Sequence, residues 1–110
     1  MVIKRMVMEI THSKILLSIL IGMRGCITSN LRAISVKYSS DYIFLYFYYQ
    51  EQPTEEGEDL AEEIASKVVS DFPDIALKSF EVKKIVIPYP NRVPDVGFLV
   101  FHRYELTPPD

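Results

Sequence analysis

The densest run of ionisable side chains lies in DYIFLYFYYQEQPTEEGEDLAEE, Asp41 to Glu63. Its second half carries seven carboxylates, Glu51, Glu55, Glu56, Glu58, Asp59, Glu62 and Glu63, and no basic residue. Carboxylates at this density can hold a divalent cation, move protons or attract a cationic partner. A calcium loop needs oxygen ligands at alternate positions around a central glycine. Here the acids fall at the start of a helix and point around it, and Gly57 does not fit such a loop. No metal and no cofactor is implied.

The other reactive side chains are Cys26, His12 and His102. Nucleophilic catalysis would need the thiol and an imidazole within hydrogen-bond reach. No feature of the sequence brings them together. There is no nucleophile elbow, no phosphate-binding glycine loop and no HExxH motif. The chain is therefore not expected to be an enzyme. A single cysteine makes no internal disulfide, excludes a multi-cysteine zinc site and suits a reducing cytoplasm.

Exposed aromatics on a sheet can stack nucleobases, but such platforms come with a basic groove. Here the basic residues are scattered, the formal net charge is −3, and the acidic run follows the aromatic strand directly. That balance disfavours nucleic acid and suits a basic protein partner. Interfaces are rich in Tyr and Phe, which bury large areas at low entropic cost. Glu55, Glu58, Asp59, Glu62 and Glu63 are the residues expected to meet Lys or Arg on that partner. Tyr46 and Tyr48 are expected to supply aromatic anchors beside them.

These side chains need elements to position them. The chain has 110 residues, 48% apolar and 25% charged, which suits one globular domain over 1–110. At the start, MVIKRMVMEITHSKILLSILIGMRGC has the order of a bacterial lipoprotein leader. Arg24 stands where a small uncharged residue is required, and Ile15–Met23 is too short to span a bilayer. A helix over His12–Arg24, capped by Thr11 or Ser13, fits better. Ile15, Leu16, Ile19, Leu20 and Met23 form its apolar stripe; Leu17 and Ile21 widen it, so the helix should be mostly covered. Residues 1–8 read as disordered or strand-like, and 106–110 as a frayed tail.

Leu31–Tyr38 and Tyr42–Tyr49 alternate as strands joined by the short turn Ser39–Asp41. Ile34, Val36 and Tyr38 share one face; Ala33, Ser35 and Lys37 share the other. Thr54 caps a second helix whose acidic first turns suit the helix dipole. Leu60, Ala61, Ile64, Ala65, Val68, Val69 and Phe72 are its buried stripe, ended by Pro73. Ala76–Ile87 is the third strand, Pro88–Gly97 a proline-rich loop and Phe98–Glu105 the fourth strand. The order α-β-β-α-β-β predicts an α/β two-layer sandwich: a mainly antiparallel four-stranded sheet with two helices on one face. Tyr42, Phe44, Tyr46 and Tyr48 would then lie on the uncovered face.

NLRAISVKYSSDYIFLYFYY, EQPTEEGEDLAEEIASKVVSDFPD and KKIVIPYPNRVPDVGFLVFHRYE together resemble a family of small bacterial proteins. The shared features are an LRA strand, an aromatic strand running into an acidic helix start, and a DFP helix end. A proline-rich turn and an aromatic, basic last strand complete them. The resemblance covers Asn30 to Glu105. It implies an immunity protein of a bacterial toxin system, of the contact-dependent growth inhibition or colicin kind. Such a protein binds and neutralises one cognate toxin, frequently a nuclease. The short apolar run and the single cysteine lead separately to the expectation of no membrane association and a cytoplasmic location. The rival reading is a self-associating module that buries its aromatic face in a homodimer.

Overall fold

The computed structural model describes residues 10–72 and 77–105. The elements follow the chain as α1 (His12–Gly22), β1 (Leu31–Tyr38), β2 (Tyr42–Tyr49), α2 (Glu55–Ser70), β3 (Ser79–Val86) and β4 (Phe98–His102). The expectations for residues 1–8 and 106–110, and the start of the third strand at Ala76, lie outside the described residues.

Local chemistry sets the helix starts. Thr11 Oγ1 accepts from Lys14 N–H (3.2 Å), and Thr54 Oγ1 accepts from Gly57 N–H (3.1 Å). Each hydroxyl satisfies an amide that the first turn cannot. Ala61, Ile64, Ala65 and Val68 of α2 pack with Ile15 and Ile19 of α1 against Ile34, Val36, Ile43, Leu45, Phe47 and Tyr49 of the sheet. Both helices therefore cover one face. Asp71 ties them together, accepting from Ser18 Oγ (2.6 Å) and Lys67 Nζ (2.7 Å), and these two donors hold its carboxyl below the usual range.

The α1 stripe is narrower than its sequence suggests. Leu17 is 59% exposed, and Leu20 and Ile21 are exposed as well. The helix sits at the margin of the layer against α2 and β4, so Ile15, Ser18 and Ile19 suffice to seal it. Val69 of α2 is likewise exposed rather than core.

The strand order is β3-β2-β1-β4. β1 pairs antiparallel with both β2 and β4, but β2 and β3 are parallel. The sheet is thus mixed, which corrects the mainly antiparallel expectation. The reason is α2: a helical crossover returns the chain to the end of the sheet where β2 began, so β3 runs parallel to β2. β3 and β4 form no hairpin and lie at opposite edges. The fourth strand also ends at His102, short of Glu105.

The proline-rich segment between β3 and β4 must cross the sheet to join those edges. It does so on the helix-free face, over Ser35, Arg32 and Leu99, with which its residues line a common cleft. Gly97 ends the crossing with φ +60°, where a Cβ would lie 2.0 Å from Val36 O. Only glycine fits there.

Candidate functional site

Both faces of β1 are buried, against the expected alternation. A bulge explains part of this. The register passes from Leu31↔Tyr49 to Ala33↔Tyr48, so Arg32 is the extra residue. Leu31 then turns into the helix-side core while Arg32 turns to the other face. Arg32 is 2% exposed and fully engaged. Its Nε and Nη2 donate to the two oxygens of Glu105 (2.7 and 2.8 Å), and its Nη1 donates to Ile87 O. Arg103 adds Nε to Glu105 (2.8 Å) and Nη2 to Gln50 Oε1 (2.8 Å), and that amide oxygen also accepts Tyr89 N–H (2.9 Å). Two guanidinium groups hold the Glu105 carboxyl down at about 2. This network clamps the crossing segment to the sheet and bounds a cleft of about 460 Å³.

The clamped segment lies over Arg32, Ser35 and Leu99 on the helix-free face. Tyr48, expected as an interface anchor, is 0% exposed in the free chain, its hydroxyl 3.4 Å from Ser35 Oγ. It is an internal packing residue here, which corrects its expected exposure. Tyr46 stacks on it (ring centroids 6.5 Å) and remains half-buried, as do Tyr42 and Phe44, stacked at 4.7 Å.

The carboxylates occupy a different side. Glu55, Asp59, Glu62 and Glu63 are exposed on α2 and Glu58 is half-buried there. α2 packs on the sheet face opposite Tyr46 and Tyr48, so the sheet separates the acids from the aromatics. One combined acidic and aromatic patch is therefore not formed. Sequence adjacency failed because consecutive elements here lie on opposite sides of one layer. Glu62 pairs with Lys84 of β3 (2.8 Å), and Glu63 accepts from the Cys26 thiol (3.4 Å). Among the described residues Glu55, Glu58 and Asp59 have no cationic partner within ion-pair distance. Burial, with Glu58 and Glu62 nearby, pushes the Tyr49 phenol up to about 12.

The other reactive groups do not converge. Cys26 is buried against Glu63, which together with desolvation raises its pKa. His12 packs on Phe98 with its ring tilted by 40° (centroids 4.1 Å), and His102 Nδ1 bonds Arg103 O (2.6 Å). Among the described residues no group of three or more His, Cys, Asp or Glu is placed to hold a metal ion, and no helix is long and apolar enough to cross a membrane.

Sequence reading missed the Arg32–Glu105–Arg103 clamp. Arg32 lies 73 residues from Glu105 in the chain, and an arginine inside an apolar strand was the one visible signal. A family model described as MafI2 immunity protein matches residues 12–105. No curated protein matches the chain.

Proposed function

The chain belongs to the MafI2 immunity protein family, and from that premise we propose that it neutralises a basic bacterial toxin through the acidic outer face of α2. One observation carries the choice of face: Glu55, Glu58 and Asp59 stand on adjacent turns of α2 without a cationic partner among the described residues. Glu62 and Glu63 extend the same face by one turn. Carboxylates at i, i+3 and i+4, with the Lys84-paired Glu62 at i+7, form a stripe of one sign along the helix. Such a stripe speeds encounter with a cationic surface and rejects an anionic one. A toxin that acts on nucleic acid has a basic cleft, and carboxylates can stand there in place of phosphates. A free thiol suits action in the reducing cytosol.

The test is a pull-down from lysate of the source cell with tagged chain as bait, followed by binding kinetics with the toxin recovered. Glu55→Lys with Asp59→Lys should weaken that complex at least about tenfold while the far-UV spectrum and unfolding midpoint hold. Both side chains are exposed and unpaired, so the fold does not rely on them. Equal affinity in the double variant would remove the acidic face from the interface.

A second reading has an observation of its own. Leu99 is 53% exposed on the helix-free side, which it shares with the half-buried Tyr42, Phe44 and Tyr46 of β2, Ser35 of β1 standing between Leu99 and Tyr46. A homodimer burying that face would sediment as two chains, and Leu99→Lys would return it to one.

A further inference from the structure

β3 is an eight-residue edge strand with one neighbour. Its pairing with β2 shows which way its peptide groups point. Ile87 N bonds Tyr49 O (2.9 Å) and Ser79 N approaches Asp41 O (3.4 Å). The amides of a strand alternate in direction, so Ser79, Glu81, Lys83 and Ile85 turn theirs to β2. Phe80, Val82, Lys84 and Val86 turn theirs outward. Among the described residues none of these four outward groups has a backbone partner. A long free edge is a template for another strand.

The side chains around the edge say what kind of strand it fits. α2 packs over β3 with Phe80 and Val82 beneath it, and Glu62 reaches down to Lys84 at 2.8 Å. Glu58 and Glu55 share the side of α2 that carries Glu62, one and two turns back. Helical spacing therefore sets Glu58 and Glu55 in line with Glu62 on the β3 side of α2, toward the C-terminal end of the strand. A second copy is the wrong occupant. Antiparallel pairing of two β3 edges about a two-fold axis leaves both helix layers on one side of the joined sheet. The two α2 helices, and their carboxylate rows, would then face each other across the seam. An extended segment bearing Lys or Arg meets the same row with opposite charge.

We propose that the outer edge of β3 accepts an extended basic segment of the toxin as a fifth strand, its cationic side chains reaching Glu55, Glu58 and Glu62. Main-chain bonds to the four outward-facing residues supply the docking, and the α2 carboxylates select the partner. This rests on the toxin-neutralising reading above and adds the mode of contact. β4 is a poorer template, with five residues and no acidic helix row above it.

Residue-resolved amide exchange tests the proposal on the intact chain, free and saturated with the co-purified toxin. The Phe80, Val82, Lys84 and Val86 amides should slow by about a hundredfold on binding, as expected when exposed groups join a closed ladder. The Glu81, Lys83 and Ile85 amides, already paired, should change little. As a second arm, Val86→Pro deletes one outward amide at a site 43% exposed, where an edge strand tolerates proline. It should weaken the complex by about tenfold, near the upper value of one hydrogen bond, with the free chain still folded. If the complex forms and the four outer amides exchange as in the free chain, the edge is not the site, while neutralisation stands. If no toxin is recovered, both ideas fall. A free chain that is dimeric, with those amides already protected, would assign the edge to a second copy and overturn the proposal.

Discussion

Arg32 shows how much one buried charge can organise. It is satisfied on three sides, by both oxygens of Glu105 and by Ile87 O, and so couples β1, the end of β3 and the segment after β4. Removing one member of such a pair leaves the other desolvated. Arg32→Ala should therefore cost about 3–5 kcal/mol in urea unfolding, while a surface change such as Lys37→Ala should cost little. The same pair predicts an acid limb. The Glu105 carboxyl titrates at about 2 in the folded chain, below its ordinary 4.5. The ionised form is favoured by folding, so this stability is complete above 4.5 and is lost as pH falls through about 2. Unfolding free energy measured between pH 5 and 2 should drop with that slope, and Glu105→Gln should flatten it.

At the scale of elements, the core side of α2 and the crossing segment carry the architecture. Ile64 is buried between the helices and the sheet, and Ile64→Ala should cost about 2–5 kcal/mol by leaving a cavity. The crossing segment depends on Gly97, whose φ of +60° and contact with Val36 O admit no side chain. Gly97→Ala should cost at least about 2 kcal/mol, read as a fall in the urea midpoint, from the left-handed backbone and the displaced β1–β4 start. The alternation of β2, the Thr54 cap and the α2 stripe were all legible because their signals are local, repeating every two or 3.6 residues. The pairing of β3 was not. Parallel or antiparallel neighbours share the same alternation, and a ten-residue proline-rich connection fits a hairpin or a crossing equally well.

For the whole molecule, charge is distributed by layer. The helix layer presents Glu55, Glu56, Asp59 and Glu63 outward, whereas the helix-free face mixes Lys37, Glu81 and Lys83 with half-buried aromatics. An encounter steered by the acidic layer should slow as ionic strength rises, because exposed charges are screened over about 8 Å at physiological salt. Stopped-flow association rates with the toxin, taken from low to high salt, should fall by at least about tenfold, with a smaller change in dissociation. A salt-independent rate would place the contact away from α2.

By itself the sequence determined the element order, the Thr54 cap, the β1–β2 hairpin and the resemblance to toxin immunity proteins, all carried by residues close together in the chain, and it narrowed the first cap to Thr11 or Ser13. It also placed Glu55, Glu58, Asp59, Glu62 and Glu63 on the second helix, because the cap and the apolar stripe that define α2 are local signals. Only the tertiary structure decided that these acids and Tyr46 lie on opposite sides of the sheet. It also decided that Tyr48 is buried, that Arg32 is a clamp, and that β3 is an edge strand whose outer side has no strand partner among the described residues. Each of those depends on which strands become neighbours. That choice is made by long-range packing, which no local pattern encodes.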